Sequence, residues 1–172
     1  RIGRAPDHNT AEWSLWLGRP LLGQWVIDVR RLLDAIQERD SRLPDEILVA
    51  GIGRAGVVAI GSAAVDARIS RVAAMGMLAS YVTREPYQGQ RLGILVPGIL
   101  RDAGDIPQLA ALVAPRPVVI GGGMTGGGQP LDAASLEAAF AFTRQAYTAE
   151  GLADRLRLVA EADPDRLAEQ IQ

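Results

Sequence analysis

The sequence predicts an α/β fold in which a parallel sheet is flanked by helices. Three observations carry that expectation. Four short runs, near residues 46–51, 71–75, 118–121 and 155–159, are apolar without the alternation of a half-exposed strand, as strands covered on both faces are. Helical patterning fills the intervals between them. The composition, 48% hydrophobic and 22% charged over 172 residues, is that of a chain able to bury a core.

Each element follows from local pattern. Trp13 and Trp16 fall three apart on a short helical stretch and read as core or interface anchors, although such pairs also stack on sugar rings. Leu22, Trp25, Val26, Val29, Leu32, Leu33 and Ile36 recur at three and four, which predicts a helix over Leu21 to Ile36. Leu43-Pro44-Asp45 breaks that pattern, and Glu46 to Ala50 reads as a short buried strand running into a glycine turn. Val57 to Val65, rich in small apolar residues, reads as a helix lying close on that strand, and Arg71 to Met75 as the second buried strand. Tyr81 to Arg101 carries Pro86, Gly89, Gly93, Pro97 and Gly98 without a sustained period, which predicts a long irregular loop of the kind that borders a site.

Ile106 to Val113 reads as a short helix ended by Ala114-Pro115-Arg116-Pro117, since residues before proline are pushed out of helical geometry. Val118 to Gly121 is the third strand, and the six glycines of Gly121 to Gly128 read as a flexible loop with little side-chain chemistry. Asp132 caps a helix to about Ala149, with Leu136, Ala139, Phe140 and Phe142 toward the core. Arg155 to Val159 is the fourth strand, before a closing helix from about Asp165. No repeat or linker divides the chain, so residues 1–172 read as one domain.

The inventory removes whole classes of chemistry. With 18 basic and 20 acidic residues scattered along the chain, no stripe of positive potential is available for a nucleic-acid backbone. Zero cysteines exclude disulfides, thiolate metal sites and a cysteine nucleophile. All 18 basic residues are arginine, so a P-loop lysine and a lysine Schiff base are excluded too. No run is long and apolar enough to span a membrane. His8, the one imidazole, has Asp7 and Glu12 nearby but no further spaced ligands, so no metal site is expected.

Gly51-Ile52-Gly53-Arg54-Ala55-Gly56 follows a strand and opens a helix, which admits two readings. The first is the GxGxxG turn of NAD(P)-binding domains, whose glycines let a pyrophosphate approach the helix N-terminus. It lacks its second half: about twenty residues on, where a carboxylate grips the ribose, stands Val72-Ala73-Ala74-Met75-Gly76, and Asp66 comes too early and belongs to the helix end. The second is a nucleophile elbow, GxSxG, with Gly51 as first glycine, Gly53 in the serine's place and Ala55 in that of the second glycine.

The segment Asp105-Ile106-Pro107-Gln108-Leu109-Ala110-Ala111-Leu112-Val113-Ala114-Pro115-Arg116-Pro117-Val118-Val119-Ile120 resembles the D-L-P-D-L-A-A-L-I-A-P-R-P-L-L segment of α/β-hydrolases related to acetyl xylan esterases and dienelactone hydrolases. Val96-Pro97-Gly98-Ile99-Leu100 resembles the loop ahead of it, and the likeness runs from Leu21 to about Leu158. It implies the C-terminal half of an α/β-hydrolase fold and calls for no cofactor. Arg1-Ile2-Gly3-Arg4 resembles the stretch after the fourth strand of those proteins, so the upstream strands are expected to be absent. The elbow strand would then be an open edge, covered by the missing N-terminal half or by a partner chain.

An esterase of this type needs serine, acid and histidine in that order. Gly53 offers no nucleophile, the loop after the third strand offers no carboxylate before Asp132, and no histidine follows His8. Ser62, Ser80, Tyr81 and Thr125 have no imidazole in reach, and the Ser62 hydroxyl is expected to bond back to its own helix. The expectation is a binding or structural module without a triad. Its ligand-binding positions are Gly51, Gly53, Arg54, Arg84 and Arg101, and they suit a carbohydrate or a small carboxylate. A carboxylic-ester hydrolase completed by another segment or chain is the alternative, and NAD(P) binding at 51–56 the second.

Overall fold

The computed structural model describes residues 5–161 and 163. Their elements are α1 (His8–Trp16), α2 (Leu21–Asp40), β1 (Leu48–Ile52), α3 (Arg54–Val65), β2 (Arg71–Leu78), α4 (Ile99–Asp102), α5 (Ile106–Ala111), β3 (Val118–Met124), α6 (Ala133–Ala139), α7 (Ala141–Ala149) and β4 (Leu156–Val159). The four strands form one parallel sheet in the order β1-β2-β3-β4. This is the α/β architecture that the sequence predicts. The closing helix expected from Asp165 and the stretch Arg1–Arg4 lie outside the described residues.

Strand positions agree with the sequence and their lengths do not. β3 runs on to Met124, so Gly121–Gly123 belong to the sheet rather than to a loop. Their small size is used there: a Cβ on Gly121 would lie 2.6 Å from the Met75 methyl, and one on Gly123 3.0 Å from Leu136, so those side chains would have to shift to admit it. The glycines that follow are packed as well, Gly126 against Thr83 and Gly127 against the Glu85 carboxylate. β1 is parallel but not buried: Leu48 and Ile52 are 43% and 58% exposed, because no described element lies beyond it.

The main core lies between one sheet face and α2, α3, α5 and α7, with Ile60, Met77, Ile94, Ile120, Phe140 and Tyr147 fully buried. Ala73, Met75 and Val119 form a second cluster on the other face. Met75 and Met77 are two residues apart yet serve different faces. The cause is Gly76 between them, at φ +57°, beside Gly122 at +56° and the Gly53 turn at +58°. A row of positive-φ glycines creases β2 and β3 at the level of the turn that ends β1.

Trp13 and Trp16 are 59% and 75% exposed, since α1 buries Ala11 and Ser14, which removes the core half of that expectation and leaves the interface half. Two further expectations need correction. Phe140 is core, but Phe142 is half exposed because the helix predicted from Asp132 to Ala149 breaks at Phe140 into α6 and α7. The Ser62 hydroxyl, wholly buried, has no hydrogen-bond partner among the described residues, so it does not bond back to its helix.

Asp66 ends α3, as its position in the sequence implies. Its buried carboxylate accepts from the Arg68 guanidinium (Nη2–Oδ2 2.6 Å), with Arg30 at 3.5 Å and Asp34 on the far side of Arg68. The Arg68 hydrogen bond holds the Asp66 carboxyl below its ordinary range. A carboxylate whose folded pKa is depressed contributes stability above its unfolded pKa of about 3.9 and loses it as pH falls through the folded value. Asp66→Asn is therefore expected to flatten the fall in urea midpoint between about pH 5 and pH 2, at a cost of about 1–3 kcal/mol at neutral pH. An unchanged acid limb would remove this pair from the account.

Candidate functional site

The turn from β1 into α3 is built by three glycines with three different reasons. A Cβ on Gly51 would lie 2.1 Å from the Ala55 carbonyl oxygen and 2.5 Å from the Gly56 nitrogen, so the helix starts in the space a side chain would take. Gly56 lets α3 approach β2, since its Cβ would meet the Met77 and Ala74 Cβ atoms at 2.9 and 3.2 Å. Gly53 holds the turn itself at φ 58°, ψ −122°, outside the regions open to other residues. Its N–H donates to the Met75 carbonyl (2.6 Å), which ties the turn to β2. Nothing lies within 4 Å of where its Cβ would be.

That open space belongs to a cavity of about 350 Å³ lined by Ile52, Gly53, Arg54, Gly76, Gln90 and Met124, among others. It lies at the C-terminal ends of β1, β2 and β3, the position where open parallel sheets hold ligands. The first N–H groups of α3 have no partners within the helix and give this end a partial positive charge. Arg54, the first residue of α3, is exposed, and no carboxylate among the described residues pairs with it.

The five expected ligand positions are divided by the structure. Gly53 and Arg54 line the elbow cavity, and Gly51 is buried beneath it. Arg84 lines a neighbouring cavity of about 300 Å³ with Ser80, Thr83, Glu85 and Thr125, which shares Met124 with the first. Arg101 stands apart in a third hollow beside Tyr81 and Tyr87, doubly bonded to Asp102 at 2.6 and 2.9 Å. The loop 81–101 does border the elbow, through Gly89 and Gln90. Gln90 was not legible as a site residue, because an amide in an irregular loop carries no motif.

The remaining candidates have structural partners. Ser80 donates to the Asp105 carboxylate, which also accepts from the Tyr81 N–H (2.7 Å) and caps α5 together with Gln108. The Tyr81 phenol, raised by burial and by the nearby Asp105 charge, stays a donor to the Ile94 carbonyl (2.9 Å). Thr125 Oγ1 accepts from the Gln129 N–H (3.2 Å). Asp132 caps α6 by accepting from the Ser135 N–H (2.7 Å), which keeps its carboxyl below the usual range. Asp7 caps the turn at 92–94 through the N–H groups of Leu92 and Gly93, while His8 faces Glu12 at 3.7 Å. Among the described residues no three His, Cys, Asp or Glu side chains are grouped to hold a metal.

No protein-family model and no curated protein matches the chain. Solved structures that share its fold include two esterases. One is a carbohydrate esterase family 15 glucuronoyl esterase from Caldicellulosiruptor kristjansonii (TM-score 0.58, 20% identity, 87% of this chain and 48% of that one). The other is titled a "putative acetyl xylan esterase" from Bacteroides fragilis (TM-score 0.65, 20% identity, 91% of this chain and 41% of that one). The chain thus shares the α/β-hydrolase-type fold of these two structures, and spans less than half the length of either.

Proposed function

We propose that this chain is a non-catalytic binding domain on a carbohydrate-esterase-type fold, with the elbow cavity taking a small carboxylate such as a sugar acid. The observation that supports the reading best is the elbow itself. Its backbone keeps the sharp strand-to-helix turn, while glycine replaces the nucleophile and leaves open space above the α3 N-terminus. A carboxylate seated there meets the N–H groups of Arg54 and Ala55, which have no partner among the described residues, and the Arg54 guanidinium, a combination that favours an anion over a neutral sugar. The glucuronoyl esterase among the structures sharing the fold makes glucuronate the first ligand to try.

Calorimetric titration with glucuronate and glucose is expected to show binding of the acid only, weakened about tenfold or more by Arg54→Gln. Equal response to acid and neutral sugar, or no response to either, would overturn the reading. Gly53→Ser is expected to cost about 1–3 kcal/mol, because a side chain at φ 58° is strained even where space is open. It should release no p-nitrophenol from the acetate ester, since neither base nor orienting acid stands nearby. Hydrolysis by that variant alone would show a working base within this chain and overturn the non-catalytic reading. Dinucleotide binding is disfavoured by the end of β2, where Leu78, Ala79 and Ser80 stand in place of a ribose-gripping acid.

A further inference from the structure

The cavity beside the elbow, of about 300 Å³, has a chemistry of its own. Its described walls come from the loop after β2, the loop after β3 and α6. The two loops are tied together, because the Gln88 N–H donates to the Gly126 carbonyl (2.8 Å) and Gly126 packs on Thr83. One stretch of chain walls both cavities: Arg84 and Glu85 line this one, and Gly89 and Gln90 line the elbow. Met124, at the end of β3, lines both as well.

The free polar groups of this cavity are of both signs. The Arg84 guanidinium and the Glu85 carboxylate have no hydrogen-bond or ion-pair partner among the described residues, each other included. Thr83 Oγ1 holds the Glu85 backbone from both sides, donating to its carbonyl (3.0 Å) and accepting from its N–H (3.2 Å). The carboxylate itself is seated where a Cβ on Gly127 would otherwise stand. With the two charges balanced, the cavity has no preference for an anion, whereas the elbow presents Arg54 without a carboxylate. Its carboxylate accepts and its guanidinium donates. A pair of neighbouring hydroxyls satisfies both, since each hydroxyl gives one proton and accepts another, and the C–H face of the same ring can lie on Leu131 and Ala139.

We propose that this second cavity takes a neutral sugar ring through Glu85 and Arg84, so that one acidic disaccharide spans both cavities with its carboxylate at the elbow. Resting on the carboxylate reading of the elbow, this makes the ligand a uronate linked to a neutral sugar rather than a free sugar acid. Calorimetric titration compares glucuronate with cellobiouronate, in which glucuronate is linked to glucose, and with the isomer joined through the glucose 2-oxygen. At least one disaccharide is expected to bind about tenfold or more tightly than glucuronate. Glu85→Gln keeps the shape of the side chain and removes its charge, and is expected to abolish most of that gain while glucuronate affinity stays within about twofold. Gly127→Ala should do the same without removing a charge, because the added methyl group takes the place of the Glu85 carboxylate and Gly127 is not at positive φ. The retained affinity for glucuronate shows that each variant is folded.

Glucuronate and both disaccharides binding equally would overturn the second cavity and leave the elbow reading intact. A gain that survives either substitution would overturn the assignment to Glu85. Disaccharide binding that responds to Glu85→Gln but not to Arg54→Gln would instead overturn the elbow reading, and with it the span across both cavities.

Discussion

Alanine at position 51 is expected to cost more than about 4 kcal/mol, enough to leave little folded protein at 37 °C. The added carbon would lie 2.1 Å from the Ala55 carbonyl oxygen and 2.3 Å from its carbon, and both are backbone of the first turn of α3. No rotamer relieves such a contact. The helix would have to withdraw from β1, undoing the packing of Gly56 on Met77 and Ala74. Gly23 in α2 provides the control: its Cβ would meet nothing within 4 Å, so Gly23→Ala should stabilise by about 0.5–1 kcal/mol. Urea unfolding of both variants checks the pair, and a Gly51→Ala midpoint near that of the parent would mean that the turn is far more compliant than its geometry implies.

Arg116→Met is expected to cost about 3 kcal/mol, the second-largest effect. The Arg116 guanidinium donates to the carbonyls of Ala63 (2.7 Å), Ile69 (2.8 Å), Asp66 (3.0 Å) and Val113 (3.1 Å), gathering the end of α3, the approach to β2 and the end of α5. Its own carbonyl accepts from the Tyr147 phenol at 2.6 Å, whose pKa burial pushes up to about 12, so the donor stays protonated. Methionine keeps the stem's packing and strips four carbonyls of a charged donor. Lysine should recover only part of the loss, because one ammonium does not span the four acceptors. Equal midpoints for the methionine and lysine variants would show that stem packing outweighs the hydrogen bonds.

The same arginine shows how sequence and structure divide the information. The Ala114-Pro115-Arg116-Pro117 segment is recognisable in the chain, and it places β3 correctly because proline ends a helix by local sterics. What Arg116 holds is set by residues about fifty positions upstream, which no local pattern reports. Gly51 and Gly53 were legible for a similar reason, since each answers a constraint within five residues of itself, whereas what Gly56 meets lies on β2 at Ala74 and Met77. Exposure was not: Leu48, Ile52, Trp13 and Phe142 have core chemistry, and only the arrangement of neighbouring elements decides whether anything covers them. Gln90 and Arg101 make the same point at the cavity, because the path of an irregular loop depends on distant anchors such as Asp7 on Gly93.

The glycine crease changes how the strands must be read. Along an ordinary strand, side-chain direction alternates in a single frame from end to end. In β2 and β3 the frame shifts by one at Gly76 and Gly122, as an inserted letter shifts the words after it, without any change in the pairing register. Up to Met75 one parity addresses the second cluster, and from Met77 onward that same parity addresses the main core. An alanine at Gly76 would do more than add a methyl group. By favouring the ordinary backbone conformation it would restore the original frame and turn Met77 from the main core toward the face of Ala73 and Met75. The three glycines thus act as punctuation, and the apolar residues after them are placed correctly only because it is read.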